Sequence, residues 1–161
     1  MERIDEIDSK IVRLLQDNGR IKRNEIAEEV GLSLPSVSER IRKLEERGVI
    51  TSYHAVVDPK RLQFDITAFI RVMVDRSRYF TEFVERAVEI DEVQEVHSVT
   101  GEGSHMLRVC TRNTASLERL LSKIQAWPGV HGTSTSIVLT SFKDTRTLNV
   151  VPMTLVDEVP A

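Results

Sequence analysis

Apolar positions in the first fifty residues recur at helical spacing. Ile4, Ile7, Ile11, Leu14 and Leu15 form one stripe, with Asp5, Glu6 and Asp8 in its opening turn and Asn18-Gly19 after its last turn. This predicts a helix over 4–16. Ile26, Ala27 and Val30 form a second, shorter stripe closed by Gly31. Val37, Ile41 and Leu44 form a third, with Ser33 as candidate N-cap, Pro35 in the first turn and Gly48 as the stop. Residues 21–50 therefore predict two short helices joined by a Gly-containing turn plugged by Leu32. This is the helix-turn-helix arrangement, whose second helix enters the DNA major groove. A β-rich run follows, Val49 to Val57, and predicts a strand: a wing, or a connection to a second domain. Asp58-Pro59 breaks it.

Beyond a linker at 57–65 the periodicity changes. Strands are predicted over 66–74, 93–100, 105–111 and 130–142, and helices over 80–90 and 115–126. A turn lies at 101–104, and Trp127-Pro128-Gly129 stops the second helix. The order β-α-β-β-α-β is the split ferredoxin-like motif, an antiparallel sheet with two helices on one face. A hairpin closed by a four-residue turn pairs Thr100 with His105. The first strand is apolar on both faces: Ile66, Ala68, Ile70, Val72 and Val74 alternate with Thr67, Phe69, Arg71 and Met73. A sheet face as apolar as the second set needs a partner, which predicts dimerisation through the sheet. The fold class is α+β. The expected organisation is a (winged) helix-turn-helix domain at 1–56, the linker, a ferredoxin-like domain at 66–148 and an extended tail at 149–161 that packs on a neighbour.

Composition narrows the function. The chain has 161 residues, 40% of them hydrophobic, which suffices for one domain or two small ones with packed cores. The formal net charge is -3, so any DNA contact must come from local basic patches and from more than one copy. One patch is Arg20, Lys22 and Arg23. The other is Arg40, Arg42, Lys43 and Arg47, diluted by Glu39, Glu45 and Glu46. On the third helix Ser36, Glu39, Arg42, Lys43 and Glu46 point away from the apolar stripe, with Ser38 and Arg40 on the flanks. Ser, Arg and Lys near a helix N-terminus suit base edges and phosphates. Mixed charge is equally the mark of an ordinary solvated helix face.

The single cysteine, Cys110, excludes an intramolecular disulfide and a Cys-rich zinc site, and its apolar run makes it a small core residue. No apolar run reaches the length of a membrane span, and the acidic start is not a signal peptide, so the expected compartment is the cytoplasm. His97 and His105 flank the 101–104 turn, but strand alternation puts them on opposite faces, against a metal pair. No nucleophile elbow, phosphate loop or zinc-ligand spacing is present, which argues against an enzyme. A helix-turn-helix that binds protein instead of DNA is the remaining rival.

Both halves together resemble the Lrp/AsnC (feast/famine) transcription regulators of bacteria and archaea. The resemblance runs from about Ile4 to Leu148. It is carried by IDEIDSKIVRLLQDNGR, IAEEVGLSLPSVSERIRKLEERGVI and SYHAVVDP in the first half, and by VTGEGSHMLRV, WPGV and TSTSIVLTSFKDT in the second. It implies that the second half is a RAM domain, the family's effector-binding and dimer-forming unit. It implies a homodimer, often assembled into tetramers or octamers, acting on pseudo-palindromic double-stranded DNA without catalysis or cofactor. It also implies a small effector, usually an amino acid. From the helix faces and basic patches themselves, Ser36, Ser38, Glu39, Arg40 and Lys43 are expected at or near the major groove and Arg20, Lys22, Arg23 and Arg42 at phosphates, with Ser33 at the start of the helix also in contact. The implied effector residues are Thr100, Gly101, Glu102, Gly103, Ser104 and His105, with Thr133, Ser134, Thr135 and Ser136. Where the family commonly shows Gly-x-x-Asp-Tyr, this chain has Gly101-Glu102-Gly103-Ser104-His105. A serine brings no charge to meet an ammonium group, although Glu102 could substitute from the same turn. That departure leaves open a different amino acid, another metabolite, or a DNA-binding architectural regulator with no effector. Gln63 stands near where the family often has Gly.

Overall fold

The structure, a computed structural model, describes residues 4–152. The chain divides into two compact units. One comprises residues 1–56 with 144–161, the other residues 57–143.

The first unit is built on three helices, α1 (Glu6–Asp17), α2 (Arg23–Val30) and α3 (Leu34–Glu46). Asp5 caps α1 by accepting the Asp8 N–H at 2.7 Å. Gly31 ends α2 in the left-handed region, at φ 70°, where a side chain would be strained. Ser33 caps α3, and Pro35 occupies the first turn. The three predicted stripes converge: Ile11, Val12, Ile26, Ala27, Val37, Ile41 and Leu44 form one buried cluster. Leu32, in the turn, packs against it.

The strand expected over Val49–Val57 is absent. The N–H groups of Val49 and Ile50 both bond the Leu44 carbonyl, closing the end of α3, and both side chains pack on the helical core. Residues 51–57 have no strand partner among the described residues, and β-formers without a neighbouring strand make no ladder. Tyr53 instead donates its hydroxyl to Glu45 at 2.9 Å; burial and that bond push its pKa up to about 12. Residues 144–148, expected in the second domain, also lie in this unit. The Gln16 side-chain amide donates to the Leu148 carbonyl at 3.0 Å and accepts the Leu148 N–H at 2.8 Å. Val150 then packs on the helical core. Of the expected 149–161 tail, residues 153–161 lie outside the described residues.

The second unit holds β1 (Ile66–Val74), α4 (Phe80–Val88), β2 (Val93–Ser98), β3 (His105–Thr111), α5 (Thr114–Gln125) and β4 (Val130–Ile137). The strands lie in the order β2-β3-β1-β4, all neighbours antiparallel. This is the expected ferredoxin-like sheet. Ala68, Ile70, Val72 and Val74 of β1 and Leu107 and Val109 of β3 bury one face against Phe83, Ala87, Leu117, Leu120 and Ile124 of the two helices. The opposite face of β1 is open, with Phe69 41% exposed.

Two strand ends differ from expectation. β4 stops at Ile137 rather than Phe142, because its partner β1 has run out: the last bond is Val138 N–H to the Thr67 carbonyl. β2 stops at Ser98, and Ser98, not Thr100, sits opposite His105. The hairpin loop therefore spans 99–104, six residues instead of four.

Candidate DNA-reading and effector sites

On α3, Ser36, Glu39, Arg40, Lys43 and Arg47 border a surface groove of about 350 Å³, closed on its far side by Asp8 of α1. Ser36, Glu39 and Lys43 are exposed at i, i+3 and i+7, one line along the helix. Ser38 lies on the opposite flank from Arg40 and is outside this line. Ser33 contributes its hydroxyl to the cap, bonded to Ser36 Oγ at 2.8 Å and accepting the Ser36 N–H. Arg20, Lys22 and Arg23, at and before the start of α2, are exposed.

Three of the predicted cations are engaged within the protein, Lys43 the most loosely, with Nζ 3.8 Å from Glu39 Oε1. Arg42 bonds both oxygens of Glu39, at 2.9 and 2.7 Å, and also pairs with Glu46. The bond to Glu39, then the charges of Glu39 and Glu46, raise its pKa above the usual arginine value. In turn the Arg42 bond lowers the pKa of Glu39. Arg40 turns toward α1, where Nη1 lies 2.7 Å from Asp5 Oδ2 and 2.7 Å from Asp8 Oδ1. Burial acts to raise the Asp5 pKa, but the Asp8 N–H and the Arg40 guanidinium outweigh it and hold the carboxyl below its ordinary range. In the sequence Asp5 and Asp8 are acids at a helix start. Only the fold brings them to a residue more than thirty positions away.

The residues assigned to the effector do not share one surface. Thr100, Gly101 and Glu102 are exposed at the tip of the 99–104 loop. Gly103 crosses the stem of Arg71, where a Cβ would lie 2.7 Å from Arg71 Cγ, at a φ of 82°. Arg71 Nη1 reaches back to Glu102 at 3.6 Å. The Ser104 hydroxyl accepts the Val74 N–H at 3.1 Å, lies 3.3 Å from the Val72 carbonyl, and is 2.9 Å from His105 Nδ1. Ser104 thus ties the loop to β1.

His105 is not a surface residue of the turn. It is fully buried on the helix-covered face, its ring 4.9 Å from Phe80 and 4.7 Å from Phe83. Its Nε2 has no hydrogen-bond partner in the structure. Burial pushes its pKa down. His97, opposite Met106, is exposed and bonded to Glu95 at 3.2 Å.

β4 divides the same way. Thr133 and Thr135 stand opposite Val72 and Ile70 on the helix side, and the Thr133 hydroxyl accepts from Gln125 at 2.7 Å. Ser134 and Ser136 stand opposite Arg71 and Phe69 on the open face. That face gathers residues the sequence reading had not assigned to a site. Arg71 and Arg108 lie on adjacent strands, and Arg108 pairs with Glu95 at 4.0 Å. Cys110, half-buried opposite Thr67, belongs to this face and not to the core. Among the described residues no group of three or more His, Cys, Asp or Glu could hold a metal ion, and no helix is long and apolar enough to cross a membrane.

Comparison with known proteins bears on both units. Residues 67–148 match the family model of the Lrp/AsnC ligand binding domain, and residues 4–51 that of winged helix-turn-helix DNA-binding. The HTH-type transcriptional regulator FL11 of Pyrococcus horikoshii is 39% identical over 145 residues, covering 90% of this chain and 95% of the relative. The leucine-responsive regulatory protein of Haemophilus influenzae is 32% identical over 148 residues, covering 90% and 89%. Among solved structures, a feast or famine regulatory protein of M. tuberculosis complexed with L-methionine superposes with a TM-score of 0.85. It is 33% identical, with coverage of 91% of this chain and 99% of that one. A transcriptional regulator of Neisseria meningitidis in complex with L-methionine gives 0.86 at 29% identity, covering 89% and 95%.

Proposed function

The chain belongs to the Lrp/AsnC family of transcriptional regulators, and from that premise we propose how its two units divide the work. The protein is an effector-responsive, DNA-binding regulator of transcription. Its first unit docks α3 in the major groove, with Ser36, Glu39 and Lys43 toward base edges and Arg20, Lys22 and Arg23 toward phosphates. The observation that carries this reading is the exposed line of those three side chains on a helix capped at its N-terminus by Ser33. The chain acts as a homodimer or larger assembly on pseudo-palindromic sites in the cytoplasm, and it has no catalytic activity. The open sheet face, bearing Phe69, supports pairing through the second unit.

The second unit takes a small effector of the amino-acid class. L-Methionine in two related structures supports that class. The exposed loop tip, Thr100 to Glu102, offers the contacts, with Glu102 exchanging its loose pairing to Arg71 for the ligand. Glu102 supplies the carboxylate for an ammonium group that Ser104 cannot. Ser104 and His105 hold the loop and do not meet the ligand.

A gel-shift titration against salt tests the DNA reading. The expected result is a shift that weakens steeply with salt and that Lys43→Ala weakens with the oligomer intact. No shift at low salt, on any duplex recovered from a randomised library, overturns it. Thermal-shift screening of the amino acids tests the effector reading, with Glu102→Gln expected to abolish the hits. Hits that survive Glu102→Gln refute the loop assignment. Absence of any hit favours a DNA-binding architectural regulator with no effector.

A further inference from the structure

We propose that Arg40 is a positioning residue for DNA recognition, one that fixes the rotation of α3 against α1 and makes no DNA contact of its own. This rests on the reading of α3 as the DNA-binding helix. One guanidinium nitrogen bonds two carboxylates, Asp5 and Asp8, each at 2.7 Å. Neither acid is incidental. Asp5 is the cap of α1, and the Asp8 side chain is only 11% exposed, so its carboxylate is poorly solvated and depends on its cation.

The charge balance argues against a phosphate contact here. One guanidinium between two carboxylates leaves a local formal charge of -1, and an approaching phosphate would meet Asp5 and Asp8 as well as Arg40. Geometry argues for positioning. Arg40 lies one turn from Ser36 and from Lys43, so tethering it sets the direction of both. The side-chain ends of a helix lie about 5–6 Å from its axis. A rotation of about 20° therefore moves them by about 2 Å, more than the whole tolerance of a hydrogen bond to a base. The buried stripe of Val37, Ile41 and Leu44 holds α3 down but is non-directional. The two charge-assisted bonds of Arg40 are directional.

The test uses the full chain, a duplex that the wild type selects from a randomised library, and a mixed-sequence duplex for comparison. Asp5→Asn with Asp8→Asn keeps the side-chain volumes and the cap, since Asn caps as well as Asp, and frees Arg40 with its charge. Positioning predicts that the preference for the selected over the mixed-sequence duplex falls about tenfold, the scale of one misplaced base contact, whatever the two lost charges add to the binding of both. Arg40→Met should cause the same loss, and combining it with the two Asn substitutions should add nothing further. If freeing Arg40 instead tightens binding to both duplexes equally, with the preference kept, and steepens the salt dependence by about 0.9 per subunit, Arg40 is a phosphate contact and the proposal is overturned. An unchanged preference in all variants overturns it too. Failure of the wild type to bind either duplex overturns the DNA reading itself, a result distinct from both.

Discussion

Gly103 and Arg71 occupy each other's space. A Cβ at position 103 would sit 2.7 Å from Arg71 Cγ and 3.1 Å from the Val72 carbonyl oxygen, and the backbone there is in the left-handed region at 82°. The glycine is required by the arginine stem beneath it, whatever the loop binds. Gly103→Ala should destabilise the second unit by about 1–3 kcal/mol, the range for a strained backbone position. In an Arg71→Ala background the clash with the arginine stem disappears, while the close approach to the Val72 carbonyl and the conformational part remain, so the cost should fall but not vanish. Urea unfolding of the four variants measures this. An equal cost in both backgrounds would show that Arg71 is not the obstacle.

The buried imidazole makes stability depend on pH. His105 ordinarily titrates near 6.5, and burial lowers that value in the folded chain. Between the lowered and the ordinary value the unfolded chain binds the proton and the folded chain does not. Stability therefore rises with pH across that window, is fully present above about 6.5, and is lost as pH falls toward the folded value. The melting temperature should drop on acidification from pH 7, and His105→Phe should flatten the drop. A slope unchanged by His105→Phe would place the titrating group elsewhere.

Arg42 is held on its own helix by Glu39 and Glu46. Glu46→Gln removes one acid without touching the groove-lining residues. It should strengthen binding to DNA of any sequence and steepen its salt dependence by up to about 0.9 per subunit, as one more phosphate is met. Gel shifts at three salt concentrations decide it. An unaltered slope would mean that Arg42 does not face the backbone.

Ser33 caps α3 across a long bond of 3.4 Å to the Ser36 N–H. Ser33→Ala should cost the first unit about 0.5–1 kcal/mol, the low end for a cap. A larger loss of DNA affinity than of stability would show that the hydroxyl also meets DNA. Chemical denaturation run beside gel shifts separates the two.

Where interactions are local, the sequence was legible. The stripe Val37, Ile41, Leu44 needs only helical periodicity, and all three residues are buried as it requires. The alternation along Ile66–Val74 identified which side of the strand faces the helices. Misreadings arose where a distant partner decides. Val49–Val57 has the composition of a strand and, among the described residues, no strand to pair with. The loop before His105 is two residues longer than the turn residues suggested, because Ser104 is tied to Val72 and Val74 thirty positions earlier. Arg40, expected at or near the major groove, pairs with Asp5 and Asp8 of α1, a contact that no local pattern reveals. Likewise, nothing local distinguishes Thr133 from Ser134. Only pairing with β1 sends one to the helices and the other to the open face.

The Gln16–Leu148 bonds join residues 132 positions apart within one unit. On the ribosome the three helices emerge early and can pack at once, but this last pairing waits until nearly the whole chain has been made. The DNA-binding unit is thus finished only after the sheet domain has been synthesised. A nascent or prematurely terminated chain would carry the recognition helix without its closing segment.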